Sequence, residues 1–500
     1  MWLSIWNTTP SKVFVGGIPY SKVFVGDVKV RPSSPVPPVY ETESIVVNIA
    51  ADNYWNLYIP ASTSAYTGTR NYNRNVSVDW WTATQVSGTT TAMSKFLTIA
   101  TWLTAWSIHT VKITPVSESY WRARAFCYWY NNSASVYLRE ILYDWSYKWY
   151  ASSSAVTWNF FRCQQYYWCT NLTTIPDEVM ADTVTFIWED FRLEQYYGCT
   201  SLTRAWVESM PNSVTTIKTE FRYSQYEWCT SLITWATEVM PSGTVDISDS
   251  FRACQYKWCT SLTSCPNEAM SPWTLNIDLF RASQYEWCTS LITPAVEYLP
   301  QWIRISVSSY NGWFRGSQYK WCTSLISSAN EVFNVTQRWG IEIISFRGSQ
   351  YEWCTSLVSP WSEAFSITNT SWGCRVSYFR VFQYKWCTSL SYTPSEINGN
   401  FSEYEWFREG QYQWCTALTT VSMTAWASNS SNRRASQFYN AWNTTNPMVI
   451  TILWNVVDSC YQSAWLDANK VDEIRVDSTL VSSYESDPNW SAVSNKFTSI

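Results

Sequence analysis

The chain has 500 residues and only one histidine, His109. That scarcity argues against a multi-histidine metal site and against a histidine-centred triad, and it places His109 at the surface of an apparent strand. Glycine is scarce too: 14 residues, where ordinary usage would supply about 35. The signatures GxGxxG, the P-loop and HExxH are absent, which removes the common dinucleotide, nucleotide and metalloprotease chemistries. The apolar stretch Val449 to Val457 is far too short to span a bilayer. The start has no basic segment and no apolar run of signal-peptide length. Net charge is −5, so nucleic acid is not an expected partner.

What the chain does have is one phrase written nine times, Phe-Arg-x-x-Gln-Tyr-x-x-Cys-Thr-Ser-Leu, beginning at Phe161, Phe191, Phe221, Phe251, Phe280, Phe314, Phe346, Phe379 and Phe407. The spacings are 30, 30, 30, 29, 34, 32, 33 and 28 residues. A fixed period of this size means one supersecondary unit stacked on copies of itself. Tyr226, Cys229 and Leu232 show the inward set. One unit cannot bury them alone, whereas a stack turns them into continuous columns. The recurring cysteines, from Cys169 to Cys415, have no CxxC partner inside a unit, so they read as small core thiols.

Between phrases lie short alternating stretches: Val245-Asp246-Ile247, Leu275-Asn276-Ile277, Ile303-Arg304-Ile305, Ile341-Glu342-Ile343. Each predicts a strand with its apolar pair inward and its middle residue outward. Nine such strands at ~4.8 Å make a rod roughly 40 Å long. The middle residue changes chemistry along the stack: Phe186, Thr216, Asp246, Asn276, Arg304, Glu342 and Arg375. A varied ribbon on a steady scaffold suits recognition of an extended surface, and these seven are the candidate ligand face. Solvated positions drifting freely would give the same pattern.

Other columns carry charge. An arginine follows each phrase-initial Phe, from Arg162 to Arg408, and a glutamate recurs from Glu178 to Glu396. Cross-unit surface ion pairing is the favoured reading of both columns. The slot holding Glu227, Lys257, Glu286, Lys320, Glu352 and Lys385 alternates in sign, which suits an ordered stack. Gln165, Gln225, Gln255 and their equivalents are expected to hydrogen-bond along the stack.

The phrase Tyr-x-x-Cys-Thr-Ser-Leu-Thr, followed by Pro and Val-Thr-x-Ile, resembles the BspA-type leucine-rich repeats of bacterial surface proteins. The resemblance covers about half the chain and implies a solenoid with a binding role. The unit here is longer, with an added Pro-x-Glu-x-Met segment at Pro176 to Met180. BspA-type repeats resemble this chain with Gly-Cys-Thr-Ser-Leu where it has Trp168, Gly198, Trp228, Trp258, Trp287, Trp321, Trp353, Trp386 and Trp414. A slot that accepts glycine or tryptophan is hard to explain by packing. With 35 Trp against 14 Gly, the hypothesis is that many tryptophans are UGA codons that the source reads as glycine. A stacked indole ribbon binding glycans is the rival.

Ahead of the repeats, Ser-Lys-Val-Phe-Val-Gly occurs at 11–16 and 21–26, so residues 1–31 read as a small β module for attachment. Similar short openings occur on phage and prophage structural proteins. Pro-rich residues 32–40 read as a linker. Residues 41–137 alternate as short strands with turn residues between them, which suggests an antiparallel sandwich. Val76 to Trp81 and Ala105 to Ile113 resemble PKD-like domains, which serve as spacers. Residues 138–420 are the expected solenoid, with Leu138 to Leu142 its N-terminal cap. Residues 421–500 are the expected final repeat and cap, built around Trp490.

The expected fold is therefore a mixed α/β leucine-rich-repeat solenoid behind a β-sandwich and a small β module. The expected function is recognition without catalysis or cofactor. The partner would be a cell-surface protein or glycan, without membrane insertion, and the setting a virion or cell surface. A phage or prophage tail-associated receptor-binding protein is the leading reading, with virion assembly or homo-oligomerisation through residues 1–31. A bacterial adhesin is the alternative. A glycan-cleaving enzyme would need paired carboxylates of raised pKa.

Overall fold

The computed structural model describes isolated strands before residue 31 and most of residues 45–115, 135–144, 162–423 and 436–500, with short breaks inside these spans. Two hairpins come first. Phe14–Val15 pairs with Ile18–Pro19, and Val23–Val25 pairs with Val28–Val30. The expected linker at 32–40 lies outside the described residues.

The antiparallel region is built from β1 (Ile45–Ala50), β2 (Leu57–Pro60), β3 (Arg70–Val78), β4 (Thr84–Thr90), β5 (Phe96–Ala100), β6 (Ile108–Pro115) and β7 (Leu138–Asp144). Five of them form a sheet in the order β7-β1-β6-β3-β4, and β2 pairs with β5. Val47, Ile49, Leu57, Ile59, Val111 and Ile113 are fully buried in one core with contributions from both sheets. Alternation puts Val111 and Ile113 inside, while Lys112 between them stays half-buried.

Strand β7 does two jobs. It pairs with β1, and it also opens the repeat array, since Ile141 N–H donates to the Thr174 carbonyl and Thr173 N–H to the Arg139 carbonyl. The expected cap at 138–142 is thus an edge strand of the sheet as well.

The array follows, and its logic is set in the phrase. Taking Phe221 as position 1, the second, fourth and eighth residues are left-handed: Arg222 at φ 54°, Ser224 at 50° and Trp228 at 65°. The chain therefore turns without forming a helix, and its N–H groups divide between two directions. Those of Ser224, Tyr226 and Trp228 reach the carbonyls of Ala253, Gln255 and Lys257 on the next coil. Those of Gln225, Glu227 and Cys229 bond three residues back within the coil. All these buried donors find acceptors.

Because each coil copies the last, like side chains meet. The tyrosines stack from Tyr166 to Tyr412, with centroids 5.3–5.6 Å apart, and Phe438 ends the file. Each ladder cysteine from Cys199 onward donates its thiol to the tyrosine carbonyl one coil back, as Cys229 does to Tyr196 at 3.1 Å. The thiols are unbonded to one another, and burial pushes them up, so they stay protonated and inert. The expected glutamine column is present: each Nε2 donates to the Oε1 of the coil before, from Gln225 to Gln437, at 3.1–3.4 Å. Gln437 and Phe438 show that a further, degenerate coil extends the ladder.

Two parallel ribbons complete the coils. One carries Phe186–Ile187, Thr216–Ile217, Asp246–Phe251, Thr274–Phe280 and their successors through Glu403–Phe407. The other, in two separate sheets, carries the Glu column in register, Glu178 beside Glu208 beside Glu238 and then Glu268 beside Glu297 beside Glu331. At the C-terminus four parallel strands, Thr420–Met423, Met448–Ile452, Val471–Val476 and Phe497–Ser499, close the stack. A short helix at Val481–Ser486 and a 3₁₀ segment at Pro488–Lys496 cover the end. Trp490 is fully buried there, edge-on to Tyr484 and Phe497.

Candidate functional site

The candidate ligand face falls on the first ribbon. Phe186 lies opposite Thr216, and Thr216 opposite Asp246. Ile187 and Ile217 beside them are fully buried, while Phe186 and Thr216 are partly exposed. Lys218 of the next coil places its ammonium 6.0 Å from the Phe186 ring. The order then departs from the expectation. Asp246 lies opposite Thr274, and Asn276 lies opposite Ser248. The register also shifts by one residue between Ser248 and Ser250, before Phe251 meets Phe280. Thr274, not Asn276, continues the column, and Arg304 follows it. Further along, Glu342 lies opposite Arg375 and Arg375 opposite Glu403, which adds Glu403. An apolar-polar-apolar triplet fixes which face of a strand a residue takes, not its register against the neighbour.

The arginine column is not the expected surface ladder. Arg162 through Arg408 are 0–1% exposed, and the Arg222 guanidinium sits 5.0 Å from the centre of the Phe221 ring. Each arginine has φ above +50°, and its side chain is buried within the coil. The alternating slot does pair across coils: Lys257 to Glu286 and Lys320 to Glu352, each at 2.9 Å.

The eighth slot is left-handed in every described coil. Gly198 has φ 71°, Asn440 in the last coil 54°, and the tryptophans between Trp168 and Trp414 lie at 58–66°. Trp102 and Trp106, in the β5–β6 turn, share this conformation at 65° and 63°. Among the described residues no tyrosine has positive φ, although the chain contains 33. The ladder indoles stack at 4.4–4.6 Å, half-exposed. A Cβ added to Gly198 would lie 2.6 Å from the Trp168 indole.

Two acids meet near the start of the array. Asp190 and Glu220 occupy equivalent left-handed positions on adjacent coils, and Glu220 donates a hydrogen bond to Asp190. Burial first, and then this neighbour, push Glu220 up to about 7. Burial also raises Asp190, with Glu189 adding to it.

In the antiparallel region His109 is not a free surface residue. Its Nδ1 lies 2.6 Å from Oδ2 of Asp79, and its Nε2 lies 2.6 Å from Oγ of Ser107. Only 14% of the His109 side chain is exposed. The three residues are separated by 28 positions and two strands, so no local motif announced them.

No family model matches the chain, and no curated protein matches it. Among solved structures it is similar to a leucine-rich repeat protein from Bacteroides ovatus, at 14% identity, covering 61% of this chain and 82% of that one, with a TM-score of 0.18.

Proposed function

We propose that the coil array is a recognition scaffold that binds an extended ligand, a cell-surface protein or glycan, through its first ribbon. The observation that carries this reading is the in-register column Phe186–Thr216–Asp246–Thr274–Arg304, continued by Glu342–Arg375–Glu403. Its chemistry changes from coil to coil, while the Tyr, Cys, Leu and Gln columns stay constant. A rigid stack with one variable ribbon offers many weak contacts at fixed spacing. The setting that fits is a virion tail or bacterial surface, with residues 1–31 as attachment module and the antiparallel region as a PKD-like spacer. The test is binding of the labelled full chain to a panel of intact bacterial cells. Replacing Asp246, Arg304 and Glu342 together should weaken binding to the cells that bind wild type and leave the melting temperature unchanged. Undiminished binding would place the ligand elsewhere.

We further propose that the eighth-slot tryptophans, with Trp102 and Trp106, are glycines in the natively decoded protein, written with recoded UGA codons. Supporting this reading, the other occupants of the slot are Gly198 and Asn440, the two residue types most at home at positive φ. Among the described aromatic residues, all those at positive φ except Phe382 are tryptophans. Intact mass of natively produced protein decides it: a mass equal to that of all 35 tryptophans removes the proposal.

A further inference from the structure

We propose that Ser107, His109 and Asp79 form a nucleophilic serine site that accepts a carboxylic ester at Ser107 Oγ. Ser107 and His109 are two residues apart at the entry to β6, so their side chains share a side. Nε2 stands 2.6 Å from the nucleophile, and Nδ1 stands 2.6 Å from the orienting carboxylate. These are the nucleophile–base and base–orienter contacts of the serine hydrolases, and chain order does not matter to the roles.

Asp79 is fixed from two sides. Its N–H donates to the Thr110 carbonyl at 2.7 Å, and its Oδ1 accepts the Thr110 N–H at 2.9 Å. It leaves β3 with φ 47°, a strained conformation held by these bonds. Thr110 is itself anchored by donating to the Asn48 side chain at 2.8 Å.

The hydroxyl proton of Ser107 has two acceptors, His109 Nε2 and the Thr104 carbonyl, each 2.6 Å from Oγ. With the ring neutral and Nδ1–H given to Asp79, the proton goes to Nε2 as Oγ attacks. With the ring charged, Nε2–H donates to Oγ and the hydroxyl turns to Thr104. Both protonation states of the ring are therefore accommodated without moving a backbone atom. Ser107 is partly exposed, and its sequence neighbour Ile108 is 60% exposed, an apolar side chain beside the nucleophile for an acyl chain.

The step balances with an ester and water. Oγ bonds the acyl carbon while its proton passes to Nε2. The imidazolium then gives that proton to the departing alkoxide as the ester C–O bond breaks. Water repeats the sequence and releases the carboxylic acid.

The probe is an alkyl fluorophosphonate, whose phosphorus takes Oγ with loss of fluoride. Peptide mass mapping of the folded full chain should find the adduct on Ser107. S107A should abolish it, and H109Q and D79N should each slow it about 10²-fold or more. An absent adduct, or a rate unchanged in both H109Q and D79N, overturns the proposal. Should those variants fail to fold, the wild type decides. Labelling of Ser107 no faster than that of the partly exposed array residue Ser201 overturns it, and labelling about 10²-fold faster upholds it.

Discussion

The coil array and the antiparallel region bury their interiors by opposite means. In the array one solution is repeated, so Tyr285 meets Tyr256 and Tyr319, and Gln284 meets Gln255 and Gln318. In the antiparallel region each contact occurs once, as where Asn48 joins Thr110 and Glu140. Repetition gives rigidity and a long exposed ribbon. Its absence lets residues from distant strands converge on one point, as Asp79, Ser107 and His109 do. The array presents one long repeated surface, and the antiparallel region a single point where distant residues meet.

The comparison predicts where damage is shared between neighbours. Tyr285→Ala removes a ring stacked on both sides and should cost about 3–5 kcal/mol by denaturant melts; a cost under 1 kcal/mol would mean the column is not a core. Gln318→Ala strips a partner from both Gln284 and Gln350 and should cost about 1–3 kcal/mol. Trp321→Gly sharpens the contrast further. Relief of a left-handed backbone is worth about 1–2 kcal/mol, and the two lost ring stacks, on Trp287 and Trp353, about 1–3 kcal/mol together. The two effects nearly cancel, so thermal stability should change by less than about 1 kcal/mol. Trp490→Gly, at a buried cap, should instead lose about 3–5 kcal/mol. Equal losses at Trp321 and Trp490 would contradict the reading of the eighth slot as a glycine slot.

Smaller effects follow from charge. Glu220 holds its proton more tightly folded than unfolded. Its stabilising contribution is therefore complete below about pH 4.5 and is lost as pH rises through about 7. The array's melting temperature should fall across that window, and Glu220→Gln should flatten the fall. Lys320→Ala breaks the ion pair to Glu352 and should cost about 0.2–1 kcal/mol, less at high salt.

The array's inward columns were readable in advance. Tyr226, Cys229 and Leu232 lie where the period puts them, and the glutamine file and sign-alternating file form as expected. The arginine column was misread because a hydrophilic residue inside a repeat looks exposed. Its burial depends on a backbone twist that sequence alone does not display. Asn276 lies opposite Ser248 and not Asp246, since strand register is a property of two strands and not of either one. His109 looks like an ordinary strand residue in the sequence because its partners, Asp79 and Ser107, come from the end of another strand and from a turn.

By itself the sequence determined that the chain is a stack. Nine copies of one phrase, each with an apolar side too small to fold alone, admit few other arrangements. Only the tertiary structure decided which polar residues are inside, which strand residue follows which along the ribbon, and which side chains surround the lone histidine. Periodicity is local and survives in one dimension. Register, left-handed turns and convergence of distant strands are relations between segments, and they exist only once the chain has closed on itself.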